Sequence, residues 1–254
     1  MTFYADDMVE LRHGDCLDST DGLASLADHS IDVCIADPPY SDHVHAKQRS
    51  GMTAHGGKIF TARNLGFDHL SDDVRVGVAR ELGRLVRRWV LVFSDIESCH
   101  LWRADLEAAG LEYVRTGIWH KNNGAPQFTG DRPAVACEAI TICHPPGRKR
   151  WNGKGTQAFW EHNIAMDRRH DGSEQRVHTT QKPLPLMREL VRLFSEPGEL
   201  ILDPFAGAAT TLRAAKDLDR KAIGWELQEQ YCELAARRLG QGVLWQTPKQ
   251  ESLA

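Results

Sequence analysis

Asp37-Pro38-Pro39-Tyr40 and Asp203-Pro204-Phe205-Ala206-Gly207 are the two stretches of this chain whose residue types and spacing suit chemistry. Each closes a short apolar run, Ile31–Ala36 and Glu199–Leu202, that reads as a buried strand. The first suits a flat ring with an exocyclic amine. Such an amine is a poor nucleophile because its lone pair is delocalised into the ring. Asp37 offers a carboxylate and Pro38 a backbone carbonyl, and two acceptors on the two N–H bonds would favour a pyramidal nitrogen able to attack a methyl donor. Consecutive prolines fix φ and stiffen the carbonyl's aim, and Tyr40 supplies a face for stacking. No strong base is needed, since the proton leaves readily once nitrogen has gained a methyl. The rate advantage would come from positioning and charge placement. The plainer reading is structural, because Asp-Pro and Pro-Tyr are common turn chemistry.

The second motif, continued as Asp203–Thr211, follows a strand and opens a helix, where small residues let a ligand approach the backbone. A phosphate-cradling GxGxxG is absent, and no Lys-Ser or Lys-Thr follows as a P-loop would require, which argues against a nucleoside triphosphate. Nineteen residues beyond Gly207, Glu226 ends the next strand, where an acid can accept both hydroxyls of a ribose. Three carboxylates, Asp15, Asp203 and Glu226, would repel a diphosphate. They suit S-adenosyl-L-methionine, which carries a sulfonium and an ammonium. The alternative is a tight structural turn with an acid at a strand end. Taken together, the motifs point to methyl transfer onto a nucleic-acid base. That atom is inaccessible inside a duplex, so the base must leave the stack, as is general for methyltransferases acting on DNA.

These motifs need elements to hold them. Val9–Arg12 reads as a strand, with a helix around Ser19–Ala27 and the strand Ile31–Ala36. Ser41–Leu70 has weak periodicity and four glycines and reads as a long loop, of a length that in compact domains is usually functional or disordered. Regular alternation then resumes: helix Asp73–Val86, strand Trp89–Phe93, helix Ser98–Ala109, strand Leu111–Trp119, a polar turn Lys121–Asp131 and strand Val135–Cys143. Arg148–Arg176 is basic and rich in Trp and Gly, a candidate insert that reads a partner. The last third predicts helix Leu184–Ser195, strand Glu199–Leu202, helix Ala208–Asp217, strand Lys221–Trp225 and helix Gln228–Leu239. Strands separated by helices imply a mostly parallel sheet with helices on both faces, with ligands at the carboxyl ends of its strands.

The net charge of −4 over 254 residues conceals a local asymmetry. Met1–Asp42 holds ten acidic residues against Arg12 alone. His43–Phe67 holds Lys47, Arg49, Lys58 and Arg63 with no acid, and Ile142–Lys182 holds eight Lys or Arg against four acids. A polyanion feels such patches rather than the total, although basic loops also serve simply to keep a surface solvated. Six cysteines without a CxxC pair fit a reduced, cytoplasmic compartment, and no run is long and apolar enough for a membrane span. Asp42, His43 and His45 lack a third correctly spaced ligand, so no metal is expected. Trp151 and Trp160 would stack on bases or pack a small core, and packing is the commoner fate.

With these residues in hand the chain resembles the beta-class DNA amino-methyltransferases, in which the DPPY motif precedes the cofactor motif. The resemblance runs from Val9–Tyr40 to Thr179–Leu239. It implies a Rossmann-like α/β fold of S-adenosyl-L-methionine-dependent methyltransferases with circularly permuted motif order. Two halves of one domain, residues 1–121 and 179–254, would flank a small recognition insert over Asn122–His178. Asp37, Pro38, Pro39 and Tyr40 would hold the target base. Asp15 and Cys16, Thr180, Gln181 and Lys182 of TQKP, Asp203, Pro204, Phe205, Ala206 and Gly207, and Glu226 would line the cofactor. Asp95 would border the base pocket, and Trp119-His120-Lys121 matches a family position near it. Lys47, Arg49, Lys58, Arg63, Arg148, Lys149 and Arg150 are the expected DNA contacts. One departure is Ala209 where the family often has glycine, harmless if its φ is negative. The expected activity is methylation of adenine N6 in duplex DNA by base flipping. Cytosine N4, a protein glutamine amide, or DNA binding without catalysis are the alternatives. The resemblance implies that a homodimer is common in this motif order. A solitary enzyme and one half of a restriction system, with its cognate restriction nuclease, read alike from the sequence.

Overall fold

The computed structural model describes residues 1–39, 54–55, 58–59, 70–124, 126–127, 130–164 and 181–241. Along the chain run β1 (Thr2–Ala5), β2 (Val9–His13), a 3-10 turn (Leu23–Ser25), β3 (Ile31–Ala36), the two-residue strands β4 (Ala54–His55) and β5 (Lys58–Ile59), α1 (Asp72–Leu85) and β6 (Val86–Ser94). There follow α2 (Cys99–Ala108), β7 (Glu112–His120), β8 (Cys137–His144), β9 (Phe159–Glu161), α3 (Leu184–Phe194), β10 (Leu200–Asp203), α4 (Thr210–Asp217), β11 (Lys221–Glu226) and α5 (Glu229–Leu239).

Among the described residues, nine strands form one sheet in the order β1-β2-β11-β10-β3-β6-β8-β7-β9, while β4 and β5 pair with each other. Strands β2, β11, β10, β3 and β6 are mutually parallel. Within this sheet, among the described residues, antiparallel pairing enters only through β1 against β2 and through β8, which runs between β6 and β7. This is the expected Rossmann-like sheet.

Strand β3 is buried throughout because it is central and covered on both faces. Its side chains alternate. Val33 and Ile35 join the layer of α3, α4 and α5, with Leu91, Phe93, Leu190 and Leu212. Cys34 and Ala36 join the layer of α1 and α2, with Val78, Leu82, Trp102 and Leu106. The period of two, continued by one residue, directs Asp37 toward the α3 layer. At the opposite end of β3, the Asp32 carboxylate is buried against Arg87 Nε at 2.6 Å and Leu200 N at 2.9 Å, which ties β3 to β6 and β10.

Helix α1 starts where Ser71 accepts from Val74 N at 3.3 Å, with Asp72 and Asp73 in its first turn. Helix α3 buries Leu186, Met187, Leu190, Val191 and Phe194. The Phe194 ring meets Trp89, Trp151 and Trp160 at centroid separations of 5.3, 4.7 and 6.4 Å. Both tryptophans of the basic stretch therefore pack the core.

Three local expectations need correction. No α-helix forms over Ser19–Ala27. The Asp18 side chain takes Thr20 N at 2.8 Å and Asp21 N at 2.9 Å, a turn that competes with helix, and only a 3-10 turn follows. Strands β1 and β9 were not anticipated. Of the stretch 122–178, Cys137–His144 is an interior strand of the main sheet and Phe159–Glu161 lies at its edge. Among the described residues, no helix is long and apolar enough to cross a membrane.

Candidate active site

The two motifs lie at the carboxyl ends of neighbouring strands. β3 and β10 pair in parallel, with Val33 opposite Ile201 and Cys34 opposite Leu202. Asp37 follows β3 and Asp203 ends β10, close enough that the Asp37 charge helps to raise the Asp203 pKa.

At the β3 end, Lys182 Nζ donates to Asp37 Oδ1 at 2.6 Å and lies 3.2 Å from Glu138 Oε2. Lys121 Nζ approaches the other Glu138 oxygen at 2.6 Å. The Lys182 ammonium also sits over the rings of Phe93 and Trp119, 5.1 and 5.9 Å from their centroids. Burial pushes the Asp37 carboxyl up, with Lys182 opposing and Glu138 reinforcing. Lys182 is also buried, yet the two carboxylates hold its pKa above the usual lysine value. Pro38 and Pro39 wall a small cavity with Ser94, Asp95 and Trp102. Asp95 accepts there from Ser98 N at 2.7 Å and Ser98 Oγ at 2.9 Å, closing the turn ahead of α2.

The β10 end is built differently. The Asp203 carboxylate accepts from Phe205 N at 3.0 Å and from the Thr211 hydroxyl. Burial pushes its pKa up to about 7, and the charges of Asp37 and Glu226 add to the shift. Glu226 accepts from Gly207 N at 2.9 Å and Gln228 N at 2.8 Å, while its carbonyl takes Gly14 N at 3.0 Å. Its carboxyl is also raised by burial. These bonds knit the ends of β2, β11 and β10 into one rim. Gly224 permits the close fit, since a Cβ there would lie 2.9 Å from the Asp203 carbonyl oxygen and from Leu212. Asp15 is exposed beside this rim, accepting from Leu17 N at 2.8 Å. Cys16 is buried, its thiol pushed up to about 12. Pro204 and Ala206 are buried, whereas Phe205 and Gly207 remain half-buried.

Ala209 takes the left-handed conformation, φ 55° and ψ 40°, so the condition for a harmless replacement is not met. Gln181 is buried ahead of α3. Arg148, Lys149 and Arg150 are exposed, Lys149 pairing with Glu112 at 2.6 Å. Tyr40, Thr180, Lys47, Arg49, Arg63 and the Asp42, His43, His45 group lie outside the described residues, and Lys58 is described only as backbone of β5. Glu138 was missed from sequence. Its signal was an acid inside the otherwise apolar run of β8, where a buried charge requires a partner.

Residues 31–237 match the N6_N4_Mtase family, described as DNA methylase. The chain is 26% identical to the Type II methyltransferase M.HinfI of Haemophilus influenzae, over 92% of this chain and 69% of that protein. It is 25% identical to the Type II methyltransferase M2.LlaDCHI of Lactococcus lactis subsp. cremoris, over 96% and 93%. The fold resembles that of M1.HpyAVI solved as a SAM complex, with TM-score 0.67, 23% identity and coverage of 92% and 100%. It also resembles the PvuII DNA methyltransferase, described as cytosine-N4-specific, with TM-score 0.70, 15% identity and coverage of 93% and 88%. The chain belongs to the N6_N4_Mtase family of DNA methylases.

Proposed function

We propose that the chain transfers a methyl group from S-adenosyl-L-methionine to adenine N6 in duplex DNA. The observation that carries this reading is the adjacency of the two strand ends, one furnished with an acceptor pair and the other with a carboxylate rim. The rim fits the cofactor. Asp203, Glu226 and Asp15 are acceptors, the turn ends in the small residues Ala206, Gly207, Ala208 and Ala209, and a cation near Asp203 would offset the burial that raises its pKa. Asp203, Phe205 and Gly207 would hold the cofactor, with Glu226 on its ribose and Asp15 at its adenine. When bound, the cofactor supplies an electrophilic methyl on a sulfonium.

Asp37 Oδ2 and the Pro38 carbonyl are the acceptors for the amine, Oδ1 being engaged by Lys182. Tyr40 stacks on the extruded base. With both N–H bonds directed, the nitrogen lone pair faces the methyl donor, and the surplus proton leaves after transfer. Arg148 and Arg150, with Lys47, Arg49, Lys58 and Arg63, bind the DNA backbone. Replacing the last four by Ala lowers the slope of log affinity against log salt by about 0.9 for each phosphate no longer neutralised. An unaltered slope removes that loop from the interface.

Methylated DNA digested to nucleosides and resolved by mass should yield N6-methyladenosine as its deoxynucleoside. N4-methylcytosine would instead assign the amine for which the similarly folded PvuII enzyme is described as specific. Methylation of protein and not of DNA would defeat both.

A further inference from the structure

Asp37, Lys182, Glu138 and Lys121 alternate in charge and come from four separate places: the end of β3, the approach to α3, strand β8 and the end of β7. The side chains of Lys182 and Glu138 are 6% and 9% exposed, and that of Asp37 is 22% exposed. A pair this sheltered escapes most salt screening, and each member is costly to leave alone. The lysine has no helical reason to be there. It stands two residues before α3, where the positive end of the helix dipole favours an acid over a cation. Its site is set by the two carboxylates. Its bond to Asp37 engages Oδ1, and among the described residues Oδ2 makes no hydrogen bond.

We propose that Lys182, shared between Asp37 and Glu138, is a positioning residue that holds Asp37 as a charged acceptor with Oδ2 turned toward the amine. This rests on the proposed role of Asp37. The groups facing the Asp37 carboxylate are the Lys182 ammonium, Glu138 beyond it, Lys121 just after β7 and Asp203 from β10, with the Phe93 and Trp119 rings flanking the ammonium. Glu138 tunes the arrangement. It draws part of the lysine charge away from Asp37 and adds a repulsion of its own, while Lys121 compensates Glu138. Removing Lys182 therefore raises the pKa of Asp37, and neutralising Glu138 lowers it. Two neighbours of one carboxylate have opposite effects.

The test uses full-length protein with 13C-labelled aspartate carboxyls, the Asp37 signal assigned by its loss in Asp37→Asn. Carboxyl shifts are followed against pH in wild type, Lys182→Met, Lys182→Arg and Glu138→Gln, without cofactor or DNA. The expected result is an upward move of Asp37 by about one to three pH units in Lys182→Met, a titration near wild type in Lys182→Arg, and a downward move in Glu138→Gln. Single-turnover methyl transfer at saturating cofactor should show its acid limb displaced in the same directions. An Asp37 titration unmoved in folded Lys182→Met overturns the proposal, as does the same response in both charge-removing variants. Should Lys182→Met fail to fold, Glu138→Gln decides alone: a downward move supports the proposal, and no move or an upward one overturns it. A wild type that methylates no DNA defeats the proposed function without altering the carboxyl titrations, so the two failures are separable.

Discussion

Two aspartates, each followed by proline and each at the end of one of two paired strands, have been given opposite surroundings. Asp37 is met by an ammonium from its own chain. The carboxylate of Asp203 is met by a backbone N–H and a hydroxyl, and its pKa is pushed up to about 7. A carboxylate completed by the protein is ready before any ligand arrives. One left short of positive charge is completed by what binds. Under the proposed function, the difference would separate a residue that acts on the acceptor from one that recognises a cationic cofactor.

The largest effect expected of this contrast is a split in function. Asp37→Ala should lower the single-turnover rate by about a hundredfold or more and leave cofactor affinity near wild type. Asp203→Ala should chiefly weaken cofactor binding measured by calorimetry. Similar losses in both quantities for both variants would erase the distinction.

A second effect, near a factor of ten, concerns protons. Cofactor binding should favour the ionised Asp203 and release a proton, so affinity should rise toward a plateau as pH climbs through about 7, by up to about tenfold per pH unit below it. Calorimetry in buffers of different ionisation enthalpy counts that proton, and Asp203→Asn should abolish it. For folding the sign is reversed. The folded pKa of Asp203 lies above its ordinary value of 3.8, so the folded state binds the proton more tightly. Its contribution to stability is present below 3.8 and is lost as pH rises through about 7. Urea midpoints across that window should fall less steeply in Asp203→Asn.

The smallest effect lies in the cofactor turn. Left-handed backbone costs an L-residue about 1–2 kcal/mol, and glycine returns about 0.5–1 kcal/mol of that as chain entropy. Ala209→Gly should thus stabilise by about 0.5–1 kcal/mol in chemical denaturation. A loss of stability would mean that the methyl's packing outweighs the strain relieved.

Much of this arrangement was legible beforehand because it is local. Alternating apolar runs and helical stripes announced β3, β10, β11, α1 and α3, and a mostly parallel sheet places ligands at strand ends. Both motifs had to serve one reaction, and the parallel pairing of β3 with β10 puts their strand ends side by side. What escaped notice was set by tertiary contact. β9 is three residues long and exists because β7 offers an edge. The region after Asp18 looked helical, but its side chain captures two backbone N–H groups, and a Cβ at Gly22 would lie 2.3 Å from the Asp18 carbonyl oxygen, too close for an ordinary side chain. Glu138 and Lys182 are 44 residues apart and show their meaning only where they meet Asp37.

The most direct trial of the account is a crystal structure of the protein with S-adenosyl-L-methionine bound. The cofactor should lie on the Asp203–Gly207 turn with its sulfonium methyl facing the cleft beside Asp37. A cofactor seated elsewhere, or a methyl turned away from Asp37, would contradict it.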